Sequence, residues 1–465
     1  MRMEDTICAL STAQGMGAIA MIRISGSKSF PTIDKLFKPF SAKHRLDKAQ
    51  GYQNLFGKLV QGEKVIDEVM LSVYRGPASY TGEDVIEIAC HGSVYIQEQI
   101  IRALLAEGIR LADPGEYTLR AYLNGKMDLS QAEAVADLIA SESAASHQVA
   151  LQQMRGGFSA EIRQLREELI NFVALIELEL DFSEEDVEFA NRSELESLLE
   201  RIQTLLTRLI ESYDTGNVIK NGVPVAIVGA PNAGKSTLLN ALLNEEKAIV
   251  TEVAGTTRDA IEDELHLGGI TYRFIDTAGI RETEDVVEKI GIERTFEKIE
   301  QSALVLHLID ARTDNLAENG AAIREEIAMI KEKSADKQLL LLANKSDQSG
   351  QAELEGFFAE DEFLAISAKE KHGMEALVDR LKAMYDWKQL AASQSIVTNA
   401  RHLSALQNSL AEIDKVREGL ALEITGDLLS LDIRAALAQL GSIIGEVDVD
   451  KDILGAIFGK FCIGK

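Results

Sequence analysis

The sequence predicts a multidomain α/β chain: an α+β region first, then amphipathic helices, with a strand–loop–helix α/β domain inserted among those helices. Three observations carry this reading. Short β-rich runs broken by turn signals fill the first 120 or so residues. Helical periodicity takes over at about 128–215 and returns at 398–445. Between those blocks, apolar runs end in glycine-rich or polar turns, as strands of a parallel sheet do. A length of 465 residues agrees, since it holds about three domains of ordinary size. The segments are then 1–120, 121–219, 220–384 and 385–465, the second and fourth forming one helical domain.

In the first segment the runs 18–24, 68–74 and 84–89 read as strands, and 95–106 as a helix. Gly15 and Gly17 are a fragment of a dinucleotide fingerprint without its third glycine, so a plain turn is the better reading. In the second segment Ser130 and Glu133 have the spacing of a capping box opening a helix, and Ser193 with Glu196 repeats it. Ile162, Leu165, Leu169, Val173, Ile176 and Leu180 form one apolar stripe; Leu195, Leu198, Ile202, Leu205 and Leu209 form another. The acidic run 177–188 between them reads as a solvated helix end. After the inserted domain come Leu403, Leu406, Leu410, Ile413 and Leu420, then Ile433, Leu437, Leu440 and Ile444. Neither helical block suffices alone, so the two should pack as one bundle. Movement of the inserted domain would then pass through both of its connections.

The chemistry concentrates in the inserted domain. The apolar run 223–228 leads into Gly229-Ala-Pro-Asn232-Ala233-Gly234-Lys235-Ser236, followed by a helical pattern from Thr237. Loop and helix-terminal N–H groups in that order wrap phosphates, Lys235 reaches the β/γ oxygens, and the Ser236 hydroxyl suits Mg²⁺. A second apolar run ends at Asp276, with Thr277, Ala278 and Gly279 after it. Asp276 can join the Mg²⁺ shell and the Gly279 N–H can sense a γ-phosphate. A third run, 339–343, ends in Asn344, Lys345, Ser346 and Asp347. A carboxylate there accepts two parallel hydrogen bonds from guanine N1–H and its 2-amine, which adenine does not offer. Ser367, Ala368 and Lys369, after the run 363–366, would close over the base. This is a guanine-nucleotide domain of the Ras-like P-loop kind.

Hydrolysis needs further groups. The residue after Gly279 is Ile280, where Ras-like enzymes place a glutamine that orients water. No arginine finger is marked. Acids in 281–290, Glu288 among them, are candidates for the water, although any one taken at random is a surface residue. For the charge, Asn232 offers a side-chain oxygen and the loop 251–259 offers carbonyls, a set that suits a hard monovalent cation.

Composition narrows the partners. A net charge of −27 excludes general adhesion to nucleic acid, so RNA would be met through a local basic patch or a basic partner. Three cysteines (Cys8, Cys90, Cys462) form no Cys-x-x-Cys pair, and the seven histidines have no metal-ligand spacing. With no apolar signal region and no long apolar stretch, the expectation is a cytoplasmic protein without a membrane span.

The P-loop, the run Ala254-Gly255-Thr256-Thr257-Arg258-Asp259 and the run from Asp276 to Glu282 resemble the TrmE–Era branch of bacterial GTPases. Tyr80-Thr-Gly-Glu-Asp-Val-Ile-Glu87, Arg120-Ala-Tyr-Leu-Asn-Gly-Lys126 and the tail Phe461-Cys462-Ile-Gly-Lys465 are similar to the MnmE (TrmE) family of tRNA modification GTPases, nearly end to end. The resemblance implies a homodimer through a folate-binding N-terminal domain and a partnership with the FAD protein MnmG. It implies transfer of a one-carbon unit from 5,10-methylene- or 5-formyl-tetrahydrofolate to build an aminomethyl-type group at carbon 5 of the tRNA wobble uridine. GTP hydrolysis would need Mg²⁺ and K⁺. By matching position, Arg23, Glu87, Lys126 and Lys465 would contact folate, and Asn232, Thr251, Val253 and Thr256 would hold K⁺. Ser236 and Thr257 would hold Mg²⁺, Glu252, Ala254 and Gly255 would complete the GTP contacts, and Glu288 would orient the water. Cys462 matches a tail cysteine on which modification depends; by composition alone it would be a packed hydrophobe. Two other classes fit the residues: a ribosome-assembly switch, and a one-carbon transferase merely regulated by its GTPase.

Overall fold

The computed structural model of the chain describes residues 5–41, 45–181, 192–244, 263–275, 296–385, 395–422, 424–446, 451–459, 461–462 and 464. It divides into two compact units, the first made of 1–136, 153–200 and 408–465, the second of 137–152 and 201–407. The larger segment of the second unit thus lies, in chain order, between segments of the first, so the nucleotide domain is an insertion among the helical segments.

The first unit opens with β1 (Ile7–Leu10), β2 (Ile19–Ser25), α1 (Ser29–Leu36), β3 (Phe37–Pro39), β4 (Gln53–Gln61), β5 (Lys64–Tyr74), β6 (Val85–His91), α2 (Val94–Ala106), β7 (Arg110–Leu111) and α3 (Glu116–Leu123). The strands form one sheet in the order β3-β4-β5-β6-β2-β1-β7, antiparallel except for β1 with β7. Alternate residues of the central strands (Ile22, Ile24, Leu71, Ile86, Ile88) are buried against Ile33 of α1 and Ile100 and Leu104 of α2. The opposite alternation presents Arg23 and Glu87 on the other face, directly across from each other. The strands expected at 18–24, 68–74 and 84–89 are β2, β5 and β6. Gly57 interrupts β4 because a Cβ there would lie 2.5 Å from the Lys38 carbonyl oxygen and 2.6 Å from the Phe37 ring.

Helices follow: α4 (Leu129–Ile139), α5 (Ala144–Met154), α6 (Gly157–Asp181) and α7 (Arg192–Asn221). The capping box expected at Ser130 lies two residues earlier. Asp128 Oδ1 accepts from the Gln131 N–H at 2.9 Å, and Gln131 Oε1 accepts from the Asp128 N–H at 3.0 Å, while Ser130 bonds to Ser159 instead. A carboxylate and an amide complete the same reciprocal pair that serine and glutamate would. The α6 stripe is buried at Ile162, Leu165, Leu169, Val173 and Ile176.

The second unit continues with β8 (Val223–Val228), α8 (Lys235–Leu243), β9 (Asp263–Leu267), β10 (Ile270–Phe274), β11 (Leu304–Asp310), α9 (Thr313–Lys333), β12 (Gln338–Asn344), α10 (Gln351–Phe357), β13 (Phe363–Ala365), α11 (Met374–Met384) and α12 (Ala400–Ala421). Its sheet runs β13-β12-β11-β8-β10-β9, parallel apart from β9. The chain returns to the first unit within α12 and continues with α13 (Gly426–Ile444), which packs on α6, and α14 (Lys451–Phe458), which packs on α3. Every boundary between the units falls inside a helix: α4, α5, α7 or α12. Entry to and exit from the nucleotide segment meet, since Ser212 Oγ accepts from the Val397 N–H at 3.1 Å. Gly216 allows this approach, because a Cβ there would sit 2.1 Å from the Val397 carbonyl oxygen.

Candidate nucleotide site and a second side-chain cluster

Strand β8 is flanked by β11 on one side and β10 on the other, so the loop after β8 opens at the point where strand order reverses. Ligands of open α/β sheets bind there, at the carboxyl ends of the strands. Two glycines make the loop possible. A Cβ on Gly229 (φ +144°) would lie 2.1 Å from the Leu308 carbonyl oxygen, and one on Gly234 (φ +103°) would lie 2.5 Å from Asn344 Nδ2. Between them Asn232 also holds a left-handed backbone, φ +61°. Helix α8 starts at Lys235, directing its unpaired N–H groups and positive dipole end toward the loop. Lys235 Nζ donates to the Gly229 and Ala230 carbonyls at 2.7 and 2.9 Å. Burial lowers the affinity of that amine for its proton, which the Glu326 charge partly offsets. Ser236 follows it, half-buried, and Thr237 is exposed.

The later motifs are tied to this loop by side chains. Buried Asn344 donates from Nδ2 to the Ala233 carbonyl at 2.7 Å, and its Oδ1 accepts from the Ala368 N–H at 3.0 Å. Lys345, left-handed at φ +62°, donates to the Asn232 carbonyl at 2.9 Å and to Asp310 Oδ2 at 2.7 Å. The Ser346 N–H meets the Ile366 carbonyl at 3.1 Å, closing the 344–347 turn on the 366–368 turn. Asp347 is exposed, and a hydrogen bond from buried Ser367 holds its carboxyl below the usual carboxylate range. It therefore stays ionised, as an acceptor of paired donors must. Lys369 is exposed beside it. The structure thus gathers 232–237, 344–347 and 367–369 into one connected set. Thr251 to Thr257, Asp276 to Gly279, and Glu288 lie outside the described residues.

One member of this set escaped the sequence reading. Asp310 ends β11 and is gripped by Arg312 as well as Lys345. Burial works to raise its pKa, but bonds from Arg312 and Lys345 outweigh that and lower it. The strand-end rule applied to the other motifs points to it, because 304–309 is apolar apart from His307 and is followed by an acid.

The second cluster lies in the first unit. The Arg23 guanidinium meets Glu87 Oε1 at 2.7 and 2.8 Å and sits 5.5 Å from the Tyr80 ring centre and 5.6 Å from that of Tyr117. Tyr117 donates its hydroxyl to the Arg23 carbonyl at 2.7 Å, and the Tyr80 hydroxyl pairs with Thr118 at 2.9 Å. Lys126 donates to the Pro77 carbonyl at 2.9 Å, on the same loop that carries Tyr80. Beneath this loop, Arg120 (1% exposed) binds Glu116 at 2.8 Å and Glu83 at 3.1 Å. The tail meets the end of β1, where Ser11 Oγ donates to the Gly464 carbonyl at 3.2 Å. Phe461 is buried while Cys462 is exposed, contrary to the packed hydrophobe that composition favours. Lys465 lies outside the described residues. Burial pushes the other two thiols up, Cys8 to about 12 and Cys90 to about 11, which keeps them protonated and inert.

Both donor sets suit the groups that the sequence resemblance implies. Asn232 and Ser236 are neutral oxygen ligands of the kind hard cations take. A guanidinium near two aromatic rings, with a carboxylate beside it, offers the charged donor, the acceptor and the apolar faces that a folate with its heterocycle and carboxylate tail would use. Among the described residues, no helix is long and apolar enough to cross a membrane.

Comparison with known proteins agrees with this organisation. Residues 129–462 match the model of the MnmE helical domain, and residues 6–126 match that of the GTP-binding protein TrmE N-terminus. The tRNA modification GTPase MnmE of Christiangramia forsetii is 55% identical, covering 100% of both chains. That of Flavobacterium psychrophilum is 55% identical over 99% of each, and that of Bacteroides fragilis 51% over 99% of this chain and 100% of its own. Among solved structures, the G domain of the T. maritima FeoB iron transporter covers 35% of this chain and 98% of its own at 21% identity, with a TM-score of 0.24, too slight to bear on function. A match across both family models and relatives identical at half their positions leave one assignment: the chain belongs to the MnmE family of tRNA modification GTPases.

Proposed function

We propose that this protein couples potassium-dependent GTP hydrolysis to the modification of carbon 5 of the tRNA wobble uridine. It is a GTPase of tRNA modification. Loop and helix N–H groups at 229–236 hold the phosphates, and Lys235 turns from the Gly229 and Ala230 carbonyls to the β/γ oxygens. Ser236, Thr257 and Asp276 would hold Mg²⁺, and Asn232, Thr251, Val253 and Thr256 would hold K⁺. The bound cations would supply the positive charge that a dissociating γ-phosphate needs. Asp347 selects guanine, the 367–369 turn covers the base, and Glu288 orients the attacking water.

In the first unit, Arg23, Glu87, Lys126 and Lys465 hold the folate, which when bound would supply the one-carbon unit. Cys462, exposed beside the docked Gly464, is available to the modification chemistry. The functional segments are 1–120, 121–219, 220–384 and 385–465. The protein works in the cytoplasm as a homodimer with MnmG. A charge of −27 leaves most tRNA contacts to that partner.

The observation that carries the nucleotide reading is Asn344, whose one amide joins the P-loop to the base-covering turn. The test is GTP turnover in K⁺ against Na⁺ at several protein concentrations. Turnover that needs K⁺ and rises per molecule with concentration is expected. Equal rates in Na⁺, independent of concentration, would overturn the proposal.

A further inference from the structure

We infer that Asp310 is a positioning residue for the nucleotide site, holding the Lys345 ammonium against the Asn232 carbonyl and so fixing the left-handed turn of the P-loop. The inference rests on the nucleotide reading above. Asp310 ends β11, which lies between β8 and β12, the strands that lead into the P-loop and into the 344–347 turn. Its carboxylate is therefore at the sheet edge where it can reach both. Lys345 Nζ, on a long flexible stem, touches Asp310 Oδ2 at 2.7 Å and the Asn232 oxygen at 2.9 Å. Both backbones at the ends of this bridge are strained. Asn232 and Lys345 are left-handed without being glycine, a state that persists only when surrounding contacts hold it.

Asp310 is itself fixed from the other side. Arg312 Nε and Nη2 reach its two oxygens at 3.1 and 3.2 Å, the Arg312 N–H meets Oδ1 at 3.3 Å, and Asn315 donates to its carbonyl at 2.7 Å. A carboxylate so placed keeps the Lys345 ammonium aimed at the Asn232 carbonyl. Without it the ammonium is better solvated in water than against one neutral carbonyl, and the turn at Asn232 loses its anchor. Asn232 bears the side-chain oxygen proposed for K⁺, so the same displacement would reach the cation site.

The experiment uses the full chain with Asp310→Asn, Asp310→Glu and Arg312→Ala. A fluorescent GDP analogue titrated in K⁺-free buffer gives Kd, and GTP turnover against K⁺ gives KM, kcat and the K⁺ midpoint. Asp310→Asn, which keeps shape and loses charge, should weaken GDP binding about ten-fold, the scale of one hydrogen bond to a charged group. KM and the K⁺ midpoint should rise with it while kcat at saturation stays within about three-fold of wild type. Asp310→Glu should recover part of the loss. Arg312→Ala, which frees one side of Asp310 but leaves the Lys345 bridge in place, should weaken GDP binding by less than Asp310→Asn does. Unchanged GDP binding in Asp310→Asn, an equal loss in Arg312→Ala, or a fall in kcat alone would each overturn the inference. Failure of the wild type to bind guanine nucleotide would instead sink the reading on which it rests.

Discussion

The nucleotide loop of the second unit and the Arg23 cluster of the first are built by opposite means. The loop is built of main chain: glycines where a Cβ would strike Leu308 or Asn344, N–H groups at a helix start, and strand ends that converge through sheet order. The Arg23 cluster is built of side chains: a guanidinium, a carboxylate and two phenols, brought together from β2, β6, the loop before β6 and α3. Main-chain recognition imprints itself on a short stretch of sequence, because it demands glycine at fixed offsets. Side-chain recognition across an antiparallel sheet leaves residues dozens of positions apart, joined only by register.

If the two sites are separate devices, damage to one should spare the other. The largest effect is expected from Lys235→Ala, which should lower kcat/KM for GTP about 10²- to 10³-fold, as loss of one preorganised charge contact does. Equilibrium binding of tetrahydrofolate should not change. A parallel loss of folate affinity would show the comparison to be wrong. Next in size is Arg23→Ala, expected to weaken folate binding about 10- to 100-fold through loss of a charged hydrogen-bonding group. Its GTP turnover should stay within about two-fold of wild type. A turnover defect at saturating GTP would mean that the clusters act as one.

The smallest effect is a slope with pH. Glu116 is subject to burial that would raise its pKa, but bonds from Arg110, the Asp113 N–H and Arg120 outweigh it and lower the pKa. Its folded-state value lies below its unfolded one, so its stabilisation is complete above the ordinary glutamate range. That stabilisation is lost as pH falls through the lowered value. Thermal melts between neutral and acid pH should show a steeper loss for wild type than for Glu116→Gln. Parallel slopes would remove Glu116 from the acid response.

The same contrast explains what could be read in advance. The phosphate loop, the 344–347 turn and the 367–369 turn were legible because each follows an apolar run, and apolar runs of that length are buried strands. Asp310 obeyed the same rule and was passed over because no familiar motif surrounds it. Register was not legible at all. Nothing in the spacing of Arg23 and Glu87 says that β2 and β6 are neighbours, and only resemblance singled those residues out. The helix start at α4 was found within two residues, since serine and aspartate compete for the same capping role and local sequence does not rank them. The docking of Gly464 on Ser11, 453 positions apart, depends on tertiary contacts that no window of sequence contains.

Asn344 lies 111 positions beyond Ala233, whose carbonyl it secures. During synthesis at about 5–20 residues per second, a nascent P-loop would therefore wait roughly 6–20 seconds before its brace leaves the ribosome. Through that interval the growing chain carries the fingerprint of a GTPase without a finished pocket, so premature capture of nucleotide is disfavoured by the order of translation itself.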